Sequence, residues 1–100
     1  MPAYLIVYRD SPIRDHAELE AYHQQTRKMG RDSRLTPLVI EGAVHAVEGT
    51  APESVVLLEF PSVADAKAWY ESPAYQAALP HRLKAADYRS IIVEGRRSRS

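Results

Sequence analysis

Hydrophobic positions follow two different periods along the chain, and their order predicts the secondary structure. Short runs rich in β-branched and aromatic residues, typical of strands, occupy residues 3–9, 38–48, 55–60 and 87–94. Between the first two runs, apolar residues recur at helical spacing up to about Met29. The third and fourth runs are also separated by segments that favour helices. The pattern therefore predicts alternating strands and helices.

Capping residues predict where the first helix begins. Ser11-Pro12 offers a serine N-cap followed by a proline with a preset φ angle. Asp15 and Glu18 offer a second capping pattern slightly later. Gly30 is a plausible stop for this helix.

The same devices recur in the second half of the chain. Ser62 and Asp65 are spaced as a capping pair for the second helix. Ser72-Pro73 repeats the serine–proline junction and begins a short helical segment, residues 74–85. Pro80 is expected to interrupt that segment, because proline has no backbone N–H to donate.

The order of elements predicts one fold. A strand–helix–strand–strand–helix–strand sequence indicates an α+β protein with the ferredoxin-like plait (βαββαβ), a four-stranded antiparallel sheet in the order 4-1-3-2 with helices on one face. Residues 1–95 are expected to form this single domain. Residues 96–100, Arg-Arg-Ser-Arg-Ser, are expected to be a disordered basic tail.

Both central strands are apolar on both faces, although helices cover one face of the predicted sheet. One face of the first strand carries Tyr4, Ile6 and Tyr8, and one face of the third carries Val55 and Leu57. A free apolar face of this size must be buried by a partner. We therefore predict a homodimer that packs sheet to sheet about a two-fold axis, as a dimeric α/β barrel.

Composition narrows the classes of function. The 100 residues include 13 basic and 13 acidic residues, so the formal net charge is zero and no global field favours nucleic acid or an anionic membrane. There is no cysteine, which excludes disulfides, thiol catalysis and thiolate metal sites. No apolar run approaches the ~20 residues of a membrane span. A cytoplasmic protein without nucleic-acid or membrane partners is the expectation.

Several segments resemble a known family. These are Val-Val-Leu-Leu-Glu-Phe-Pro-Ser (residues 55–62), Ala-Lys-Ala-Trp-Tyr-Glu-Ser-Pro-Ala-Tyr-Gln (66–76) and the ending Ile-Ile-Val-Glu-Gly (91–95). Over about residues 3–95 the chain is similar to domain-of-unknown-function family 1330, of the dimeric α/β-barrel superfamily. The resemblance implies the plait and the dimer, and it implies no established activity. The chain departs from the family where the second strand begins, at Arg-Leu-Thr-Pro (34–37).

Ligand-binding candidates cluster after the third strand. Trp69, Tyr70 and Tyr75 are expected either to belong to the core or to form the wall of a small pocket between the second helix and the sheet. His81 follows Pro80, could close over the end of the second helix, and is a further ligand-binding candidate. In the resemblance, Trp69 stands roughly where related cofactor-free monooxygenases have a histidine, which argues against haem binding. No cofactor is expected.

Candidate acid–base residues are dispersed. His23 lies next to the inner stripe of the first helix, so it belongs either to a cleft or to the helix surface. Glu59 ends an apolar strand and is expected to act as a base, to pair with Arg9, or simply to be exposed. In each case Tyr8 is expected to lie close to it. No histidine pair has the spacing of a metal motif, so no metal site is expected.

Three functions remain open from the sequence. The first is a homodimer that binds a small organic molecule in the helix–sheet pocket. The second is a cofactor-free enzyme, a monooxygenase or an isomerase, that uses the acid–base candidates. The third is a structural or interaction module without a pocket. A basic cluster is either a solvated surface or an anion contact. Its members are Arg27, Lys28, Arg31 and Arg34.

Overall fold

A computed structural model describes residues 1–96 as a four-stranded antiparallel sheet with three helices. The elements in chain order are β1 (Ala3–Arg9), α1 (His16–Met29), β2 (Thr36–Ile40), β3 (Ser54–Phe60), α2 (Val63–Tyr70), α3 (Pro73–Ala85) and β4 (Tyr88–Glu94). The sheet order is β2-β3-β1-β4, which confirms the predicted plait and its strand order. Except for Arg96, the tail that was expected to be disordered lies outside the described residues.

The core lies between the helices and one face of the sheet. Alternate residues of β1 are buried, because successive side chains of a strand point to opposite faces. Leu5 and Val7 of β1 join Leu58 and Phe60 of β3 and Ala66 of α2 in this core. The helix-covered face of the sheet is therefore the floor on which α2 packs.

The opposite face of the sheet, called here the open face, presents an apolar row that crosses all four strands. Val39 lies opposite Leu57, Leu57 opposite Ile6, and Ile6 opposite Ile91. Directly opposed residues share a face of the sheet. Ile91 remains 46% exposed and Val39 36% exposed. In the described chain this row has no covering element.

Helix α1 begins at the later of the two predicted caps. Asp15 is the N-cap, and its carboxylate accepts a hydrogen bond of 3.1 Å from the backbone N–H of Glu18. Ser11 serves another purpose, since its hydroxyl accepts a bond of 3.0 Å from the backbone N–H of Asp87. Gly30 ends the helix with a positive φ of 72°, as predicted.

Strand β2 is shorter and begins earlier than the sequence predicted. The predicted strand over residues 38–48 is wrong, because pairing ends at Ile40 and Glu41 adopts a positive φ of 54° that turns the chain out of the sheet. The backbone N–H of Glu41 still donates to the carbonyl of Val55 at 3.1 Å. The register of β2 against β3 shifts between Pro37 and Val39, where the pairing is irregular.

Helix α3 continues through Pro80, so the predicted interruption is wrong. Proline at this position removes the hydrogen bond to the carbonyl of Gln76. Both residues are exposed, so water can satisfy that carbonyl. The helix is held instead by its buried face and by Ser72, whose side chain accepts from the backbone N–H of Tyr75.

The cap of α2 gives a testable effect on stability. The Ser62 hydroxyl accepts from the backbone N–H of Asp65 at 3.0 Å and donates to the Asp65 carboxylate at 3.0 Å. We expect Ser62→Ala to lower the free energy of unfolding by about 1 kcal/mol, because an N-terminal backbone donor loses its partner. Ser62→Gly should lower the free energy of unfolding by only a few tenths of about 1 kcal/mol. Urea denaturation measures both, and equal losses would contradict a capping role.

Candidate functional site

A cavity of about 480 Å³ lies between the helices and the helix-covered face of the sheet. We call it the helix–sheet cavity. Its aliphatic lining comes from β1, α1, β2 and β3, and comprises Leu5, Val7, Leu19, Ile40, Val56 and Leu58. The same cavity contacts aromatic and charged side chains of α1, α2, α3 and β4. Its size and mixed lining are typical of sites for small organic ligands.

An aromatic cluster closes the end of this cavity near α2 and α3. Tyr75 is 1% exposed, and its ring centroid lies 4.4 Å from that of Trp69 and 5.4 Å from that of Tyr70. Its hydroxyl shares a hydrogen bond of 2.9 Å with the hydroxyl of Tyr22. Burial, and then the neighbouring Tyr22, raise the pKa of Tyr75 well above its usual value. Tyr75 therefore stays neutral and acts as a hydrogen-bonding group rather than as a base.

Arg82 is the buried cation of the cavity lining. It is 5% exposed, and it lies on the inner face of α3 two turns after Tyr75. Its guanidinium carbon lies 4.8 Å from the ring centroid of Tyr88 and 5.9 Å from that of Tyr22. Nη2 donates a long bond of 3.4 Å to the hydroxyl of Ser90, and Nε is buried without a hydrogen-bond partner. Burial also raises the pKa of Tyr88.

The charged side chains of the lining have a positive excess. Arg82 and Arg27 line the cavity together with His23, against one carboxylate among the described lining residues, Glu41. Arg27 pairs with Glu20 outside the cavity at 3.0 Å. Arg82 is therefore the lining charge that is both buried and without an acidic partner in the described chain.

The predicted ligand-binding residues divide into two pairs. Trp69 and Tyr75 line the helix–sheet cavity. Tyr70 packs against the ring of Tyr75 and lies outside the lining. His81 also lies outside it, because its Nδ1 is 2.6 Å from the Glu18 carboxylate, a contact that ties α3 to α1.

Of the three predicted acid–base residues, His23 lines the cavity. Tyr8 and Glu59 share the open face and lie near opposite ends of the strands. The expectation that they are close is wrong, because antiparallel pairing sets Tyr8 opposite Val55, four residues and about 13 Å along β3 from Glu59. The expected Glu59–Arg9 pairing fails for the same reason, since Glu59 lies opposite Tyr4.

A second cavity of about 630 Å³ lies at the other end of β3, and Glu59 and Tyr4 belong to its lining. Although it is larger, half of its ten lining residues are exposed, and Phe60 is the one that is fully buried. The exposed members are Met1, Ser33, Thr36, Pro61 and Arg96. The helix–sheet cavity is the better candidate site, because it has buried walls and a buried charge.

Two of the four residues of the predicted basic cluster form ion pairs at the protein surface. Arg34 forms an ion pair of 2.8 Å with Asp32 and a longer one of 3.7 Å with Asp65. Hydrogen bonds from Arg34 lower the pKa of Asp32 to about 2. Arg27 pairs with Glu20, as described above. The remaining members, Lys28 and Arg31, are exposed.

Two kinds of feature are not found in the described part of the chain. Residues 1–96 contain no group of three or more histidine, aspartate or glutamate side chains that could hold a metal ion. No helix in this range is long and apolar enough to cross a membrane.

Comparison with known families identifies the chain. The family model described as "Domain of unknown function (DUF1330)" matches residues 2–96. The chain belongs to this family. The match confirms the resemblance that the sequence segments indicated, and the DUF1330 description states no activity. No curated protein is significantly similar to this DUF1330 chain in sequence.

Solved structures share the fold of this DUF1330 protein at low sequence identity. The RPA0582 protein of Rhodopseudomonas palustris, of unknown function, is 21% identical in sequence and has a TM-score of 0.60. The match covers 97% of this chain and 84% of the RPA0582 chain. A dimeric ferredoxin-like protein of unknown function from Jannaschia is 9% identical over 95% and 100% of the two chains, with a TM-score of 0.64. A dimeric protein with a ferredoxin-like fold from Bacteroides fragilis is 14% identical over 94% and 96%, with a TM-score of 0.58.

Sequence reasoning missed the buried charge of the lining, Arg82, and two polar residues of the same lining, Ser54 and Tyr88. A signal for Arg82 exists in the spacing of α3, because Tyr75, Ala78, Arg82 and Ala85 fall on one face at helical intervals. An arginine in that series is unusual, since arginine is rarely buried without a partner.

Proposed function

We propose that this DUF1330 protein is a homodimer that binds a small organic molecule in the helix–sheet cavity. The main support is the cavity itself, about 480 Å³ with an apolar floor and a buried arginine in its wall. Convergent polar groups in an apolar cavity give a ligand its orientation as well as its binding energy. The third function considered from the sequence, a module without a pocket, does not account for this cavity or for the buried arginine in its wall.

The homodimer is supported by the open face of the sheet. Its apolar row, formed by Val39, Leu57, Ile6 and Ile91, has no covering element in the described chain. A second copy packed about a two-fold axis would bury the same row on both subunits. The Jannaschia and Bacteroides fragilis structures of this fold are described as dimeric.

Ligand binding is a better description than the cofactor-free enzyme considered above. Of the three acid–base candidates, Tyr8 and Glu59 belong to the open face, and His23 alone among them lines the cavity. Proton abstraction needs a base within hydrogen-bond reach of the substrate, and it is aided by a group that stabilises the charge that develops. The three candidates do not converge on one substrate position.

A thermal-shift screen with small organic acids, amides and amines tests the proposed binding. A ligand at 100 times its Kd should raise the free energy of unfolding by about 2.7 kcal/mol. Leu19→Trp, which fills the cavity lining, should abolish the shift. Leu83→Trp is the matched control, since Leu83 is exposed on α3 and lies outside the lining. Equal shifts in both variants, or no shift with any compound, would refute binding in this cavity.

A further inference from the structure

The burial of Arg82 lacks the compensation that a buried charge normally has. The side chain is 5% exposed, and none of the ion pairs among the described residues includes it. Its contacts are two tyrosine rings and the Ser90 hydroxyl at 3.4 Å. A buried cation is strongly unfavourable unless an anion and hydrogen-bond acceptors accompany it. In the free protein the guanidinium of Arg82 is therefore a buried cation without a counter-ion among the described residues, and a bound anion would neutralise it.

The donors of Arg82 suit a planar anion. A guanidinium presents N–H groups in a flat fork that binds a carboxylate through two parallel hydrogen bonds. The buried Nε of Arg82 has no partner, and the bond from Nη2 is long. The rings of Tyr22 and Tyr88 lie near the guanidinium and restrict its movement. The two rings therefore hold the guanidinium in place, and its Nε–H and Nη2–H groups lack strong acceptors within the described chain.

We propose that the ligand of the helix–sheet cavity is a small carboxylate with an aromatic or branched aliphatic body, and that the guanidinium of Arg82 binds its carboxylate group. This inference rests on the proposed function of the cavity. The apolar body would lie against Leu5, Val7 and Leu58, with the indole of Trp69 at the same wall. Apolar burial supplies affinity, and the ion pair supplies selection for an acid.

A phosphate-bearing ligand fits the cavity less well. Phosphate sites use several donors together, commonly backbone N–H groups of a glycine-rich loop at a helix N-terminus. The glycines of the chain, Gly30, Gly42, Gly49 and Gly95, are not part of the cavity lining. Arg82 approaches the cavity from the last turns of α3, and Arg27 is already paired with Glu20.

Glu41 is an internal alternative that the experiment must separate. It is exposed and lines the same cavity, and it forms no ion pair with Arg82. If Glu41 were the natural partner of Arg82 in solution, Glu41→Gln would lower the melting temperature of the free protein. We expect Glu41→Gln to leave the melting temperature unchanged and to leave acid binding equal or stronger.

Matched acids and amides test the proposal on the full chain. We expect phenylacetate and isovalerate to bind at least about tenfold more tightly than phenylacetamide and isovaleramide in calorimetric titrations, because only the acids complete the ion pair. Arg82→Met should lower the affinity for the acids at least about tenfold and leave the affinity for the amides unchanged. Lys84→Met is the control, since it removes the same charge from the exposed side of α3.

Melting temperatures without ligand separate a binding role of Arg82 from a structural one. We expect Arg82→Met to melt at the same temperature as the natural chain or higher, because an apolar side chain replaces an unpaired buried charge. A marked drop, or failure of Arg82→Met to fold, would show that Arg82 also stabilises the fold, and Arg82→Lys then decides the binding role. Arg82→Lys keeps the charge without the fork and should lose most of the preference for acids. An unchanged preference for acids in Arg82→Lys would overturn the proposal.

The outcomes distinguish failure of this inference from failure of the proposed function. If acids and amides bind equally, and Leu19→Trp abolishes both, the cavity binds ligands and the carboxylate inference is wrong. Tighter binding of inorganic phosphate than of phenylacetate would also overturn it. If no acid or amide binds, the carboxylate inference is wrong, and if no amine of the thermal-shift screen binds either, both proposals fail.

Discussion

Tyr75→Ala is expected to lower the free energy of unfolding by about 3–5 kcal/mol, the range for removing a large aromatic side chain from a core. Tyr75 is 1% exposed and contacts the rings of Trp69, Tyr70 and Tyr22. The alanine would leave a void beside an existing cavity, and the surrounding aromatic rings would lose their common contact. Because domains are stable by only about 5–15 kcal/mol, much of the total stability would be lost. Urea denaturation followed by tryptophan fluorescence measures the loss.

The control for this prediction is Tyr75→Phe, which keeps the ring and removes the hydroxyl. It should cost about 1 kcal/mol, because the hydroxyl of Tyr22 loses its partner at 2.9 Å. A loss from Tyr75→Ala no greater than the loss from Tyr75→Phe would show that the aromatic cluster does not stabilise the fold.

Ile91→Lys is expected to weaken self-association at least about a hundredfold, because a charge buried without a partner typically costs about 3–5 kcal/mol. Ile91 lies in the apolar row of the open face and is 46% exposed in the single chain. A two-fold interface includes the substituted residue of both subunits, so each dimer would bury two lysines and the free-energy cost of association would include both. Sedimentation equilibrium across a range of protein concentrations measures the dissociation constant.

The control for the dimer is Leu83→Lys, on the outer side of α3. Leu83 is 49% exposed, similar to Ile91, and it belongs to a helix rather than to the open face. This variant should remain dimeric and keep the melting temperature of the natural chain. A natural chain that sediments as a monomer at micromolar concentration would contradict the proposed interface.

Most of the fold could be predicted from the sequence because local signals and long-range burial agree. Strands β1 and β3 are short apolar runs whose alternation places Leu5 and Leu58 in the core. Ser62 marks the start of α2, and the hydroxyl forms the cap that the spacing indicated. The right-handed crossover rule then leaves few ways to order four strands.

The prediction failed where a local conformation contradicts the side-chain pattern. The apolar residues after Ile40 resemble a strand, but Glu41 has a positive φ, which the identity of a glutamate does not indicate. In α3, Pro80 favours an interruption, yet packing of the buried face maintains the helix on both sides of it. In both cases tertiary context prevails over local preference.

The candidate site was predicted in part. Large aromatic residues at helical spacing line either a core or a pocket, and Trp69 and Tyr75 border both. Arg82 was missed because burial of a charged side chain depends on which elements surround it. Tyr22 and Tyr88, which flank its guanidinium, are 60 and 6 residues away in sequence. Their convergence is a property of the fold rather than of any motif.

Alternate residues of strand β3 belong to two surfaces, the floor of the helix–sheet cavity and the open face. This double role limits how the number of residues in the strand can change. Val56 and Leu58 form part of the cavity floor, while Leu57 belongs to the apolar row of the open face. Insertion or deletion of a single residue within the strand would exchange the faces of all residues beyond it. The cavity floor and the apolar row would then be lost together. Homologous chains should therefore vary in side chains along this strand and keep its residue count, and length differences should collect between Glu41 and Glu53, where the chain has left the sheet.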